Sequence, residues 1–170
     1  MTRSAGPSLD RYRPNVGIIL AKPDGQVWLG RRAGAPGPFN WQFPQGGVDE
    51  GESLLEAARR ELREETGASS VTFLGRTEDW MAYAFPEGVR RAKYSQGWIG
   101  QKQIWFLFRF DGRDDEFDIA GHAPQEFDQW RWATPEDALR SIVAFKQNTY
   151  REVLEILGPL IRGLGATTAS

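Results

Sequence analysis

The run from Gly46 to Ala68, GGVDEGESLLEAARRELREETGA, constrains this chain more than any other stretch. It opens as a glycine turn, continues as a helix and ends at another glycine. Ser53 followed by Glu56 has the S-x-x-E spacing of a capping box, which places the helix start there. Gly67 can take the left-handed conformation that closes a helix, so the spacing predicts an end near Thr66. Leu54, Leu55, Ala58 and Leu62 recur at helical spacing and form an apolar stripe for a core.

The polar side of this helix is less ordinary. Glu61, Glu64 and Glu65 stand at i, i+3 and i+4, so three carboxylates crowd one face beside the stripe. Each like-charge pair at such spacing costs roughly 0.2–0.5 kcal/mol. Glu64 and Glu65 also lie in the last turn, the negative end of the helix dipole, where anions are disfavoured. A sequence shaped for stability alone would carry lysines there. One reading is a solvated face with Glu56, Arg60 and Glu64 laddered as i,i+4 ion pairs. The other is a divalent-metal site, because hard cations need oxygen ligands grouped in this way. The position of the cluster at the unfavourable helix end favours the metal. The adjacent Gly46 and Gly47 would let the backbone approach a ligand closely, and the Gly46 carbonyl could join the ligands.

The spacing Gly46, Glu52, Arg60-Glu61-Leu62, Glu64-Glu65, Gly67-Ala68 resembles the Nudix box, G-x5-E-x7-R-E-U-x-E-E-x-G-U with U aliphatic. Every specified position is filled, with Ala68 small for the last aliphatic one. The resemblance implies an α/β fold, an α/β/α sandwich with a mixed central sheet. It also implies hydrolysis of a nucleoside diphosphate linked to another group, with a divalent cation held by the box glutamates, Mg2+ first and Mn2+ second.

Composition sets the bounds around this motif. With 170 residues, 40% apolar and 26% charged, the chain fits one globular domain with a proper core. A net charge of −2 gives no bulk attraction to nucleic acid, so an anionic substrate must meet a local basic patch. No cysteine is present, which removes disulfides, thiol catalysis and sulfur-ligated zinc and fits a cytoplasmic location. No apolar run is long enough for a membrane span, so no membrane partner is expected.

Read in order, residues 1–10 form a flexible leader, residues 11–164 a single domain and residues 165–170 a flexible tail. Strands are expected at 16–21, 26–31, 71–76, 79–85, 101–110 and 127–132. Residues 33–40 read as a glycine/proline loop bordering the site, and Pro86-Glu87-Gly88 as a turn. Residues 87–102 carry Arg90, Arg91, Lys93 and Lys102 in a flexible segment. DGRDDEFD, from Asp111 to Asp118, reads as a solvated acidic loop. Thr134 caps a short helix with Pro135 at its first position, reaching about Val143. Tyr150, Val153, Leu154, Leu157, Leu160 and Ile161 form one apolar stripe of a final helix.

Outside the box the chain resembles one branch of the family, the bacterial RNA pyrophosphohydrolases, also described as dinucleoside polyphosphate hydrolases. The matching segments are Tyr12–Gly17, Trp41–Gly47, Ile99–Gln103, Glu126–Asp128 with Trp130–Trp132, and Phe145-Lys146. The loop at residues 33–40 is longer than in shorter members, and Ile104 stands where a lysine can occur. This resemblance implies removal of pyrophosphate from 5′-triphosphate RNA, leaving the 5′-monophosphate end that promotes RNA decay. Asymmetric hydrolysis of diadenosine polyphosphates is the alternative substrate class, and a silent nucleotide- or RNA-binding module the alternative outside enzymes. Glu61, Glu64, Glu65, Gly46 and the outlying Glu126 would hold the metal, with Glu64 as general base, although pattern does not rank it above Glu126. Arg13 and Arg32 would contact phosphates, Gln42 would line the substrate site and Phe145 would stack on a base. From residues alone, Arg13 is equally a surface cation and Phe145 a core aromatic at a helix junction. Trp41 and Phe43 read as core, Lys102 as exposed on a strand, and His122 receives no role. Protein partners are not legible.

Overall fold

The computed structural model describes residues 8–35, 37–90 and 97–167. Residues 1–7 of the expected leader, Arg91 and Lys93 of the basic segment and residues 168–170 of the expected tail lie outside the described residues.

Eight strands make one mixed sheet: β1 (Tyr12–Ala21), β2 (Val27–Arg32), β3 (Trp41–Gln42), β4 (Gln45–Gly47), β5 (Val71–Arg76), β6 (Met81–Ala84), β7 (Gly100–Phe110) and β8 (Phe127–Ala133). The main order is β3-β2-β1-β7-β5, with β4 added to β1, β6 to β7 and β8 to β2. β1 and β7 run parallel at the centre, from Tyr12 opposite Gly100 to Ala21 opposite Arg109, and every other pairing is antiparallel. Because helices cover both faces, the later parts of these two central strands, residues 16–21 and 104–108, are continuously apolar rather than alternating.

The box helix, α1 (Leu54–Thr66), carries the expected reciprocal capping box between Ser53 and Glu56 and ends at Gly67 with φ 84°. Ala57, Ala58 and Leu62 are buried, and they pack with Val16, Ile18, Leu20, Phe106, Phe108 and Phe127 on one face of the sheet. The other face packs Ile19, Leu29, Phe43, Trp105 and Leu107 against two further helices, α3 (Pro135–Ser141) and α4 (Gln147–Thr167). The α/β/α sandwich is therefore present, with two apolar layers. No helix among the described residues is long and apolar enough to cross a membrane.

Several local expectations change. The stretch 41–47, for which no strand was expected beyond a glycine turn at its end, forms β3 and β4, because its backbone pairs with β2 and β1. Pro86-Glu87-Gly88 enters a single helical turn, α2 (Glu87–Arg90). β6 is shorter than the expected 79–85, and α3 stops at Ser141 rather than near Val143. The acidic loop is not merely solvated. Glu116 accepts hydrogen bonds from the Ser69 and Ser70 N–H groups, and Phe117 stacks on Phe110. In α4, Tyr150, Val153, Leu157 and Ile161 are buried as expected, whereas Leu160 is 44% exposed and Leu164 takes its place. The helix continues through Pro159 and runs to Thr167, so residues 165–167 are not an irregular tail.

Candidate active site

α1 meets β4 through its acidic face. A Cβ on Gly46 would lie 2.0 Å from Glu61 Cδ, so a glycine is required for that carboxylate to lie against the strand. The same strand receives Arg13 from β1: a Cβ on Gly47 would lie 2.7 Å from Arg13 Nη2. The Gln45 backbone N–H donates to Glu65 Oε2 at 3.1 Å. Two glutamates of the box and one arginine from outside it therefore share three residues of backbone.

Arg60 organises the rest. It grips Glu52 in a forked pair, Nε to Oε2 at 2.7 Å and Nη2 to Oε1 at 2.9 Å. It also donates to the Gly47 carbonyl at 2.8 Å, to Glu61 Oε1 at 2.8 Å and to Glu64 Oε2 at 3.2 Å. Glu52 thus braces the loop, as its spacing to Arg60 implies, and this pairing holds its carboxyl below the usual range. The carbonyl of Gly47, next to the Gly46 expected to contribute its own, is taken by Arg60.

Burial pushes the Glu61 carboxyl up, against the opposing pull of Arg60. Glu65 is pushed well above the ordinary carboxylate range, first by burial and then by repulsion from Glu126, Glu61 and Glu64. Glu126 precedes β8 in a segment whose carbonyl accepts from the Ala33 N–H, and it belongs to the same electrostatic group as the box glutamates. The protein thus concentrates negative charge at a partly buried place where Arg60 is its close counter-ion. Among the described residues, no three acidic or histidine side chains stand in a ready metal-binding cluster, since Arg60 bridges Glu61 and Glu64 and Glu65 faces Gln45. The donor set is nonetheless all hard oxygen, and its mutual repulsion is what a divalent cation relieves.

Further cations and aromatics neighbour this acidic group. Lys146 is 8% exposed in the turn before α4, and its ammonium is pushed down to about 8, chiefly by burial and then by Arg32, against Glu126 and Glu65. Arg32 is exposed at the end of β2, near Tyr83 as well as Lys146. Phe145 is half-buried, with its ring 5.8 Å from that of Tyr83, so it is neither a core aromatic nor a free one. Gln42, expected to line the substrate site, is 2% exposed and pairs with Gly30 across β3 and β2.

The sequence model of the NUDIX domain matches residues 11–153. The chain belongs to the Nudix family. It is 52% identical over 154 residues to an RNA pyrophosphohydrolase of Caulobacter vibrioides, covering 90% of each protein. It is 43% identical over 161 residues to an RNA pyrophosphohydrolase of Cereibacter sphaeroides, covering 94% of this chain and 98% of that one. Among solved structures, the fold resembles an E. coli dihydroneopterin triphosphate pyrophosphohydrolase with TM-score 0.65 and 19% identity, covering 85% of this chain and 98% of that chain. It also resembles a C. elegans Ap4A hydrolase, with TM-score 0.59, 20% identity and coverage of 85% and 98%. Nudix hydrolases need divalent metal ions, and the oxygen donors on α1 fit that need.

Two side chains gain a place that sequence reasoning did not give them. Lys146 lies within the matching Phe145-Lys146 pair, yet nothing in the chain order marks it as facing Glu65 and Glu126. His122 received no role, and its Nε2 lies 3.8 Å from Glu64 Oε2. A lone histidine in a loop carries no spacing signal. Conversely, Phe43 is core as expected, Trp41 lies under the Arg131 guanidinium, and Lys102 rests over the Trp80 ring rather than pointing free.

Proposed function

We propose that this Nudix protein is a metal-dependent RNA pyrophosphohydrolase, converting 5′-triphosphate RNA ends to 5′-monophosphate ends with release of pyrophosphate in the cytoplasm. The observation that carries the reading is the electrostatic coupling of the buried Lys146 to Glu65 and Glu126 beside Arg32, next to the box carboxylates Glu61 and Glu64, with Phe145 adjoining Lys146 in the chain. The names of relatives 40–52% identical over at least 90% of this chain support the substrate class.

In this reading Glu61, Glu65, Glu126 and the Gly46 backbone hold the metal, with Mg2+ preferred and Mn2+ able to replace it. The ion, when bound, neutralises phosphate charge and lowers the pKa of a water. Glu64 takes the proton of the attacking water. Its side chain is 28% exposed against 14% for Glu61, so it is the more open of the two to water. Attack forms a new P–O bond and breaks the anhydride between the α and β phosphates. Arg13 and Arg32 fork onto phosphate oxygens, and the Lys146 ammonium adds a point charge. Phe145 presents a ring to the first base, backed by Tyr83.

Asymmetric cleavage of diadenosine polyphosphates needs the same groups and is the second reading. A silent binding module has no use for four mutually repelling carboxylates. The test is to supply Mg2+ with 5′-triphosphate RNA, diadenosine tetraphosphate or ADP-ribose and compare initial rates. Fastest release of pyrophosphate from RNA supports the proposal. Preference for ADP-ribose ends it and leaves only Nudix chemistry.

A further inference from the structure

A run of buried amides crosses the sheet beside the carboxylates. Side chains alternate along a strand, so Gln101, Gln103 and Trp105 of β7 share the face that packs on α3 and α4. Asn15 of β1 stands opposite Gln103 in the parallel register, and both are buried, Gln103 completely. Trp105 Nε1 donates to Gln103 Oε1 at 3.2 Å. Gln103 Nε2 donates to Asn15 Oδ1 at 2.8 Å and to Gln45 Oε1 at 3.4 Å. Gln45 Nε2 donates in turn to Gln101 Oε1 at 3.4 Å, and the Tyr83 hydroxyl donates to that same oxygen.

The direction of this chain follows from one group. An indole N–H only donates, so the Gln103 end facing Trp105 is oxygen and the other end is the NH2 group. Gln45 must then turn its oxygen toward Gln103 and its NH2 toward Gln101. Burial pushes Tyr83 up to about 12, so its hydroxyl remains a donor at the far end. Trp105 therefore orients two amides in series, and the second belongs to the residue whose backbone N–H holds Glu65 Oε2. β4 has only three residues, and the side chain of Gln45 is a second anchor for it beside its pairing with β1.

We propose that the amide chain Trp105–Gln103–Gln45–Gln101–Tyr83 is a positioning device that commits one oxygen of Glu65 to the backbone and leaves the other for the metal. The inference rests on the reading of Glu65 as a metal ligand. Among the described residues, its members reach a carboxylate of the site through the backbone N–H of Gln45. They act through the placement of one N–H group.

The test compares Gln103→Met, Gln101→Met and Glu65→Gln with Ile142→Ala, which opens a cavity in the same apolar layer but lies outside the chain. Three quantities are measured: melting temperature, kcat and KM on 5′-triphosphate RNA, and Mn2+ affinity of the substrate-free protein from the paramagnetic resonance of free Mn2+. Gln103→Met is expected to weaken Mn2+ binding and kcat by about tenfold, the low end for a lost outer-shell partner, with KM near the wild-type value. Gln101→Met, at the half-buried outer end, should move both quantities the same way by less, and it serves as the reading if Gln103→Met does not fold. Ile142→Ala should melt earlier yet keep Mn2+ affinity and kcat. Wild-type Mn2+ affinity and kcat in a folded methionine variant, with turnover lost in Glu65→Gln, overturn the amide chain alone. An equal loss in Ile142→Ala overturns it too, since destabilisation would then explain the effect. Full turnover in Glu65→Gln overturns the site reading and the chain together.

Discussion

Replacing Glu65 by glutamine should separate stability from activity. The carboxylate faces three others, Glu126, Glu61 and Glu64, and accepts one backbone hydrogen bond from Gln45. At about 0.2–0.5 kcal/mol per like-charge pair, relief of repulsion is worth about 1 kcal/mol. Exchanging a charged acceptor for an amide oxygen returns about 0.5–1 kcal/mol of that gain. Glutamine also relieves the larger cost, burial of the charged form, and since 1 kcal/mol shifts the melting point of a domain this size by about 2–4 °C, the metal-free variant should melt at least a few degrees above wild type at neutral pH. The pH sign follows from the raised Glu65 carboxyl. The folded state binds the proton more tightly than the unfolded state, so metal-free stability falls as pH rises from about 4.5 through the raised value, and glutamine removes that fall. Metal reverses the picture. At a hundred times its Kd, an ion bound only by the folded state adds about 2.7 kcal/mol, or about 5–10 °C. Scanning calorimetry with and without Mg2+ should show this rise in wild type and its loss in Glu65→Gln, together with a turnover loss well over tenfold. An unchanged Mg2+ shift, or activity lost only in proportion to folded protein, refutes the reasoning.

Glu126→Ala should weaken activity most at low Mg2+ and recover partly at high Mg2+, and a Mg2+ titration of initial rates with an unchanged midpoint would count against ligation. Phe145→Ala should raise KM for triphosphate RNA by roughly five- to a hundredfold, the value of one stacked base, with a smaller effect on a bare nucleoside triphosphate. Arg13→Ala should impair both substrates, and Arg13→Lys should restore charge without the fork, rescuing steady-state rates only in part. The Lys146 ammonium titrates at about 8 in the fold against 10.5 for a free lysine. Between those values the unfolded chain binds more protons, so stability should rise with pH across that window and flatten in Lys146→Gln. If its charge contacts phosphate, kcat/KM should fall above about pH 8, and Lys146→Arg should move that limb upward.

The box helix was legible because every device that makes it is local. Ser53, Glu56 and Gly67 act within a few residues, and the i, i+3, i+4 spacing of Glu61, Glu64 and Glu65 places them on one face without any tertiary knowledge. The main strands were legible for the same reason, as short apolar runs between turn residues. What the sequence could not hold was the pairing across distance. Nothing local makes 41–47 two strands, because Gln45–Gly47 is extended only by its pairing with β1. Leu160 obeys the helical period and is still 44% exposed, since it lies against Gly75 of β5 while Ile161 and Leu164 turn into the core. The site follows the same division. Gly46 and Glu61 are fifteen positions apart, and their contact fixes why that residue has no side chain. Lys146 and Glu65 lie 81 positions apart, on segments that cover different faces of the sheet, and only folding brings a buried ammonium under the influence of the box carboxylates. The sequence by itself determined the carboxylates and their helix. Burial and long-range approach, which decide each group's charge and orientation, belong to the tertiary structure, because electrostatic energy depends on distance and solvent access rather than on chain order.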